Sequence, residues 1–424
     1  MTRSNGWLER VAFMAALIVA GEAVFSLPFH VARFFRPTVL SVLELSNTEL
    51  GSAQAVYGVV AMLAYFPGGL LADRFPARRL LASSLFATAG GGLYFATFPS
   101  GSGLAWLFGF WGVTTIFLFW AALIRATREW GGHHEQGLAY GILDGGRGLF
   151  AASFAAAAVG VFEHLMPGDP TRAAPEERAE ALRGVIYLYT AVTAVAGALC
   201  LRFVMEREPS VAQREPFLTH LRGVLRMPCV WLQALIVVCA YVGYKGIDNY
   251  SLYAVQAYEM NEVDGAKVST LSAWIRPFAA VVAGWFGDRV SASLVSILLF
   301  ALLLGSYAWL ALEVPRSATV WVLYLNVVLT CIAVFGLRGV YFALFQEARV
   351  PMAATGTAVG LVSLIGYTPD IFVHLVGGWL LDRSPGIEGH QQFFAFLAAS
   401  AAAGLVASIV FRALAGKTTV YEPA

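Results

Sequence analysis

Eight charged side chains stand inside otherwise apolar stretches of this 424-residue chain: the acids Glu22, Asp144, Asp248 and Asp370, and the bases Arg147, Lys245, Arg276 and Arg338. Their spacing sorts them. Asp144 and Arg147 lie three residues apart, as do Lys245 and Asp248, so on a helix each pair shares a face. Arg276 and Arg338 have no acid within one helical turn, which makes their forked guanidinium groups the best candidates to bind a carboxylate, phosphate or sulfonate. Arg147 and Lys245 complete a basic set of the same kind. Tyr244, in a run with Tyr241, Tyr250 and Tyr253, is placed to hydrogen-bond a solute or to pack. Glu22 has no Lys or Arg within two helical turns and suits either proton carriage or a salt bridge. Asp144, Asp248 and Asp370 fall in the same group of proton-coupling or ion-pairing acids. The competing reading is that four acids and four bases neutralise one another and fix the packing of helices without touching a solute. His30 and His374 fall near the ends of their stretches and read as ordinary residues.

These charges need an explanation because of what surrounds them. The chain is 58% hydrophobic and 13% charged, with a mean hydropathy of +0.68. A soluble domain carries about a quarter charged residues, so too few polar groups exist here to cover a water-facing surface. Lipid is the solvent for most of the exterior. A charge at mid-bilayer costs about 2.5–3.5 kcal/mol on insertion scales, so eight of them mark a polar path or a set of internal pairs. The net charge of +1 gives no sign of a nucleic-acid partner. Cys200, Cys229, Cys239 and Cys331 show no metal or disulfide spacing, and no HExxH, GxSxG or phosphate loop is present. Neither an enzyme nor a metal or other cofactor is expected.

About 20 apolar residues make a membrane helix. Twelve such stretches are predicted, at 8–32, 49–72, 78–98, 103–126, 138–163 and 184–204, then 228–254, 265–287, 292–312, 317–345, 354–380 and 391–413. The polar segment 205–227 divides them six and six, giving an N-terminal bundle over 1–204, a linker and a C-terminal bundle over 228–424. With the N terminus inside, the inner segments hold about twice as many Lys and Arg as the outer ones, so both termini are expected in the cytoplasm. Pro369, beside Asp370, predicts a break in the eleventh span.

Short repeats mark the two halves. Gly69-Leu70-Leu71-Ala72-Asp73-Arg74 closes the second span, with Arg78 and Arg79 just beyond, and Gly284-Trp285-Phe286-Gly287-Asp288-Arg289 closes the eighth. The first resembles the signature loop between helices two and three of the major facilitator superfamily. Pro76 stands where that pattern has glycine, and Ala77 where it has a base. The resemblance implies an all-α polytopic fold of 12 transmembrane helices in two pseudo-symmetric six-helix bundles. It also implies that helices 1, 2, 4, 5, 7, 8, 10 and 11 face a central cavity, and every embedded charge falls on one of these. In the loop, Gly69 would let helices approach and Asp73 would pair with a nearby arginine in one conformation only, with Arg74, Arg78, Gly284, Asp288 and Arg289 as the rest of a gating motif.

The function this implies is secondary active transport of a small organic, anionic solute by alternating access across the cytoplasmic membrane, with proton coupling as a further expectation and a monomer as the working unit. A multidrug or metabolite exporter is the first alternative, though it would favour an apolar cavity with one acid. A non-transporting receptor or sensor is the second.

Overall fold

A computed structural model of the chain describes residues 3–132, 136–205, 222–316 and 319–415. Among these residues the structure is helical, with no strand. Among the described residues nine helices are long and apolar enough to cross a membrane, or ten with the bent pair Asn47–Tyr65 and Pro67–Arg74 counted as one span. In chain order the helices are α1 Trp7–Phe34, α2 Asn47–Arg74, α3 Ala77–Phe95, α4 Gly101–Gly131, α5 Leu138–Leu165 and α6 Pro175–Phe203. They continue as α7 Pro228–Tyr258, α8 Glu262–Arg289, α9 Ala292–Leu312, α10 Val320–Val340, α11 Thr357–Arg383 and α12 Ile387–Ala415. The predicted spans 78–98 and 265–287 are thus helical as α3 and α8, but neither is apolar enough over sufficient length to count as a span by composition. Arg78 and Arg79 dilute α3; Glu262, Asp264, Lys267, Arg276, Asp288 and Arg289 dilute α8. Most of the predicted linker 205–227 lies outside the described residues.

Several helices are broken where the sequence removes a backbone donor. α1 is α-helical to Phe25, passes through a π turn at Ser26–His30 containing Pro28, and resumes at Val31–Phe34. A short helix, Arg36–Val42, follows. α7 tightens to a 3-10 turn at Ile247–Asn249. α11 breaks between Gly366 and Pro369, as Pro369 predicts. α6 starts at Pro175, well before the predicted residue 184, because Pro175 sits at its first turn and Glu177 accepts from the Ala174 N–H.

The chain forms two compact units. The first comprises Met1–Ser210 with Asn249–Val255 and Glu259–Trp274; the second comprises Val211–Asp248, Gln256–Tyr258 and Ile275–Ala424. In the first, α3 lies along α6, α2 along α4, and α1 packs against both α5 and α6. In the second, α9 lies along α12, and α7 touches α10, α11 and α12. α1 and α7 therefore hold corresponding places, each packed against the fifth helix of its own six.

Candidate functional site

In the first unit Glu22 is the centre of a buried polar cluster. It is 3% exposed, and its carboxylate lies 3.3 Å from Arg147 Nε of α5 and 3.5 Å from His30 Nε2. Gly21 makes the approach possible, since a Cβ there would come within 3.0 Å of Arg147 Cδ. Arg147 Nη1 also lies 3.7 Å from Asp144, whose own side chain is largely exposed. Ser26, Phe150, Phe154 and the buried Tyr189 join Glu22 and His30 around a narrow recess. Among the described residues the Tyr189 hydroxyl has no hydrogen-bond partner.

In the second unit α7 and α11 are joined by a ladder of two rungs. Lys245 Nζ lies 2.6 Å from Asp370 Oδ1, with the lysine 2% exposed, and Asp248 Oδ2 lies 3.4 Å from His374 Nε2. Asp370 and His374 are four residues apart on α11, so the shared face of Lys245 and Asp248 on α7 meets one face of its neighbour. Tyr241 donates its hydroxyl to Asp370 Oδ2 at 3.1 Å. Tyr241 also stacks near Tyr244 and Tyr367, with ring centroids 5.4 and 5.0 Å away.

Arg338 of α10 completes this group. Its guanidinium sits 4.2 Å from the Tyr244 ring centre and 5.6 Å from that of Tyr241. Among the described residues no carboxylate pairs with it, and its Nη1 is buried without a hydrogen-bond partner. Aromatic faces hold the cation in place without consuming its donors. Arg276 is half-buried on α8.

Of the four bases read as solute ligands, Arg147 and Lys245 are therefore engaged by acids of their own unit. The two histidines read as ordinary instead touch Glu22 and Asp248. His30 was hidden by helix geometry. Eight residues after Glu22 it falls about 80° away on an ideal α-helix, but the π turn inserts an extra residue and brings it back close to the same face. His374 had no signal, because its partner lies on another helix.

The loop motifs are also re-sorted. A Cβ at Gly69 or Gly284 would meet nothing within 4 Å, whereas one at Gly68 would stop 2.9 Å from Phe117 O of α4. The close approach expected at Gly69 belongs to Gly68. Asp73 and Arg78 are half-buried; Arg74, Asp288 and Arg289 are exposed, and Arg289 stacks on Trp285 at 4.0 Å. Arg125 of α4 caps the end of α2 by donating to Ala72 O at 2.6 Å and Phe75 O at 3.3 Å. Glu129 holds it at 2.8 Å.

Comparisons with known proteins agree with this architecture. The family model described as Major Facilitator Superfamily matches residues 11–373. The chain is 28% identical over 410 residues to inner membrane protein YqcE of Escherichia coli (strain K12), covering 94% of this chain and 93% of that one. It is 25% identical over 412 residues to inner membrane protein YihN of the same organism, covering 95% of each. Among solved structures, the nucleoside transporter NupG superposes with a TM-score of 0.69 at 13% identity, over 96% of this chain and 100% of that one. A bacterial homologue of the human lysosomal transporter Spinster, inward-facing and occupied, gives 0.70 at 14% identity over the whole of both chains.

Proposed function

Because the chain belongs to the major facilitator superfamily, we propose that it is a secondary transporter that moves a small organic anion across the inner membrane by alternating access, coupled to protons. Arg338 carries the anionic part of this reading. A buried guanidinium N–H without an acceptor is costly unless a solute supplies one. Here the cation is braced by Tyr241 and Tyr244, and the nearby Lys245–Asp370 pair is self-neutralised, which leaves Arg338 as the group with charge to offer. Arg276 and Tyr244 are the further solute ligands on this reading, while Arg147 and Lys245 act through their acids.

Glu22 supports the coupling. Its buried carboxylate lies between the Arg147 guanidinium and the His30 imidazole, an acid beside a group that can itself exchange a proton. The names of YqcE and YihN as inner membrane proteins favour that location, and the Lys and Arg bias favours cytoplasmic termini.

The test is uptake into proteoliposomes, after a thermal-shift screen of organic acids, sugar phosphates and sulfonates has picked a solute. Arg338→Ala should weaken solute affinity about ten- to a hundredfold, the worth of a charged hydrogen bond. It should leave membrane insertion intact. Wild-type affinity in that variant would remove the anion assignment.

A further inference from the structure

The Arg33 carbonyl, near the C-terminal end of α1, has lost its helical partner. In an uninterrupted helix it would accept from the N–H four residues on, but that residue is Pro37, which has none. Two hydroxyls from elsewhere replace it. Ser251 Oγ of α7 donates to Arg33 O at 2.9 Å, and Ser269 Oγ of α8 donates to it at 3.3 Å. Both serines are fully buried.

Two ion pairs flank this point at the same end of the helices. Arg178, in the first turn of α6, lies 3.3 Å from Glu262 at the start of α8. Glu163, near the end of α5, lies 2.6 Å from Lys267 of α8. Lys267 and Glu163 are about half exposed, so solvent screens them and they add little. Burial pushes the Glu262 carboxyl up, and the Arg178 guanidinium and Thr38 hydroxyl pull it back only in part. That pair too offers a modest net gain. The shared carbonyl is different, because it accepts from two fully buried serines and the residue four positions on, Pro37, has no N–H to offer it.

We infer that Pro37 creates a latch: the Arg33 carbonyl, denied the N–H of residue 37 and captured by Ser251 and Ser269, holds the outer ends of α1, α7 and α8 together, and its release accompanies opening to the outside. The inference rests on the transport reading and on the cytoplasmic placement of the termini. It gives Pro37 a role beyond ending a helix. A carbonyl that cannot use the N–H of residue 37 favours whichever state brings the serines to it.

The test uses the full chain in liposomes, with Ala266→Cys as a reporter. Ala266 is fully buried on α8, and the four native cysteines are buried as well. The labelling rate by a membrane-impermeant maleimide follows the population of the open state, however rare. Ser251→Ala and Ser269→Ala should each speed labelling about five-fold, the worth of one hydrogen bond. Ser251→Thr, which keeps the hydroxyl, should label at the parent rate. Pro37→Ala, which returns an N–H to the carbonyl's own helix, should also speed labelling, and the serine replacements should then add nothing. A rate indifferent to the serines, or to Pro37→Ala, in a chain that still transports would overturn the latch. A chain that transports nothing, and whose labelling no solute alters, would overturn the reading beneath it.

Discussion

The proposed transport function rests on two residues, Arg338 for the solute and Glu22 for the proton. Arg338 is held by ring faces, so its geometry matters as well as its charge. Lysine at this position would keep the charge but lose both the planar stack on Tyr244 and the two-pronged donor set. Arg338→Lys is therefore expected to bind the solute at least about tenfold more weakly, and equilibrium binding by the purified variant checks it. Tyr244→Phe keeps the ring face and loses the hydroxyl, so it should bind more weakly than the parent but more tightly than Tyr244→Ala, which should resemble the loss of Arg338. Glu22 makes a separate prediction. It faces Arg147 and His30, and Tyr189 lines the same recess. Glu22→Gln keeps the shape of the side chain and removes its titration, so uptake should lose its dependence on an imposed pH gradient while counterflow of solute persists. An unchanged gradient dependence would reduce Glu22 to a structural partner of Arg147.

The ladder between α7 and α11 is a property of the helix pair rather than of any one residue. Lys245→Met would take the cation from Asp370 and leave it the Tyr241 hydroxyl, and breaking one partner of a buried pair costs about 3–5 kcal/mol. The double replacement Lys245→Met with Asp370→Leu removes both charges together and should recover most of that loss, measured as the midpoint of thermal unfolding in detergent. Additive losses would mean that the two side chains do not act as a pair. The helices themselves were legible: hydrophobic runs of membrane length located them, and Pro369 announced the break in α11. What stayed hidden was relation. Lys245 and Asp248 look like each other's partners in sequence, yet each reaches across to α11, because helix-to-helix register leaves no trace in local spacing. His30 was concealed by a π turn that shifts the helical phase, and Gly68 was eclipsed by the neighbouring Gly69 because only the packed helix tells them apart. Arg125, which caps α2 from α4, is a further case of a contact that no single stretch of sequence records.

Within each unit, the first and fifth helices of the six meet through a buried acid–base pair, and the two pairs have opposite polarity. Glu22 of α1 meets Arg147 of α5, while Lys245 of α7 meets Asp370 of α11. Such pairs cancel inside their own unit, and on the anion reading the solute is met instead by the Arg338 guanidinium, with which no carboxylate among the described residues pairs, and by Arg276. This makes the thermal stability of the entire chain a readout of solute class. A molecule that binds only the folded protein stabilises it by about 2.7 kcal/mol at a concentration one hundred times its dissociation constant. On the anion reading, the melting midpoint should rise with an organic carboxylate, phosphate or sulfonate, stay flat with neutral analogues of the same shape, and stop responding in Arg338→Ala. Salt should weaken the response only slightly, because a partly buried site is screened much less than a surface one. An equal shift from the neutral analogue would instead favour an exporter of amphipathic molecules, for which the tyrosines around Arg338 would be the contact surface and the arginine only its support.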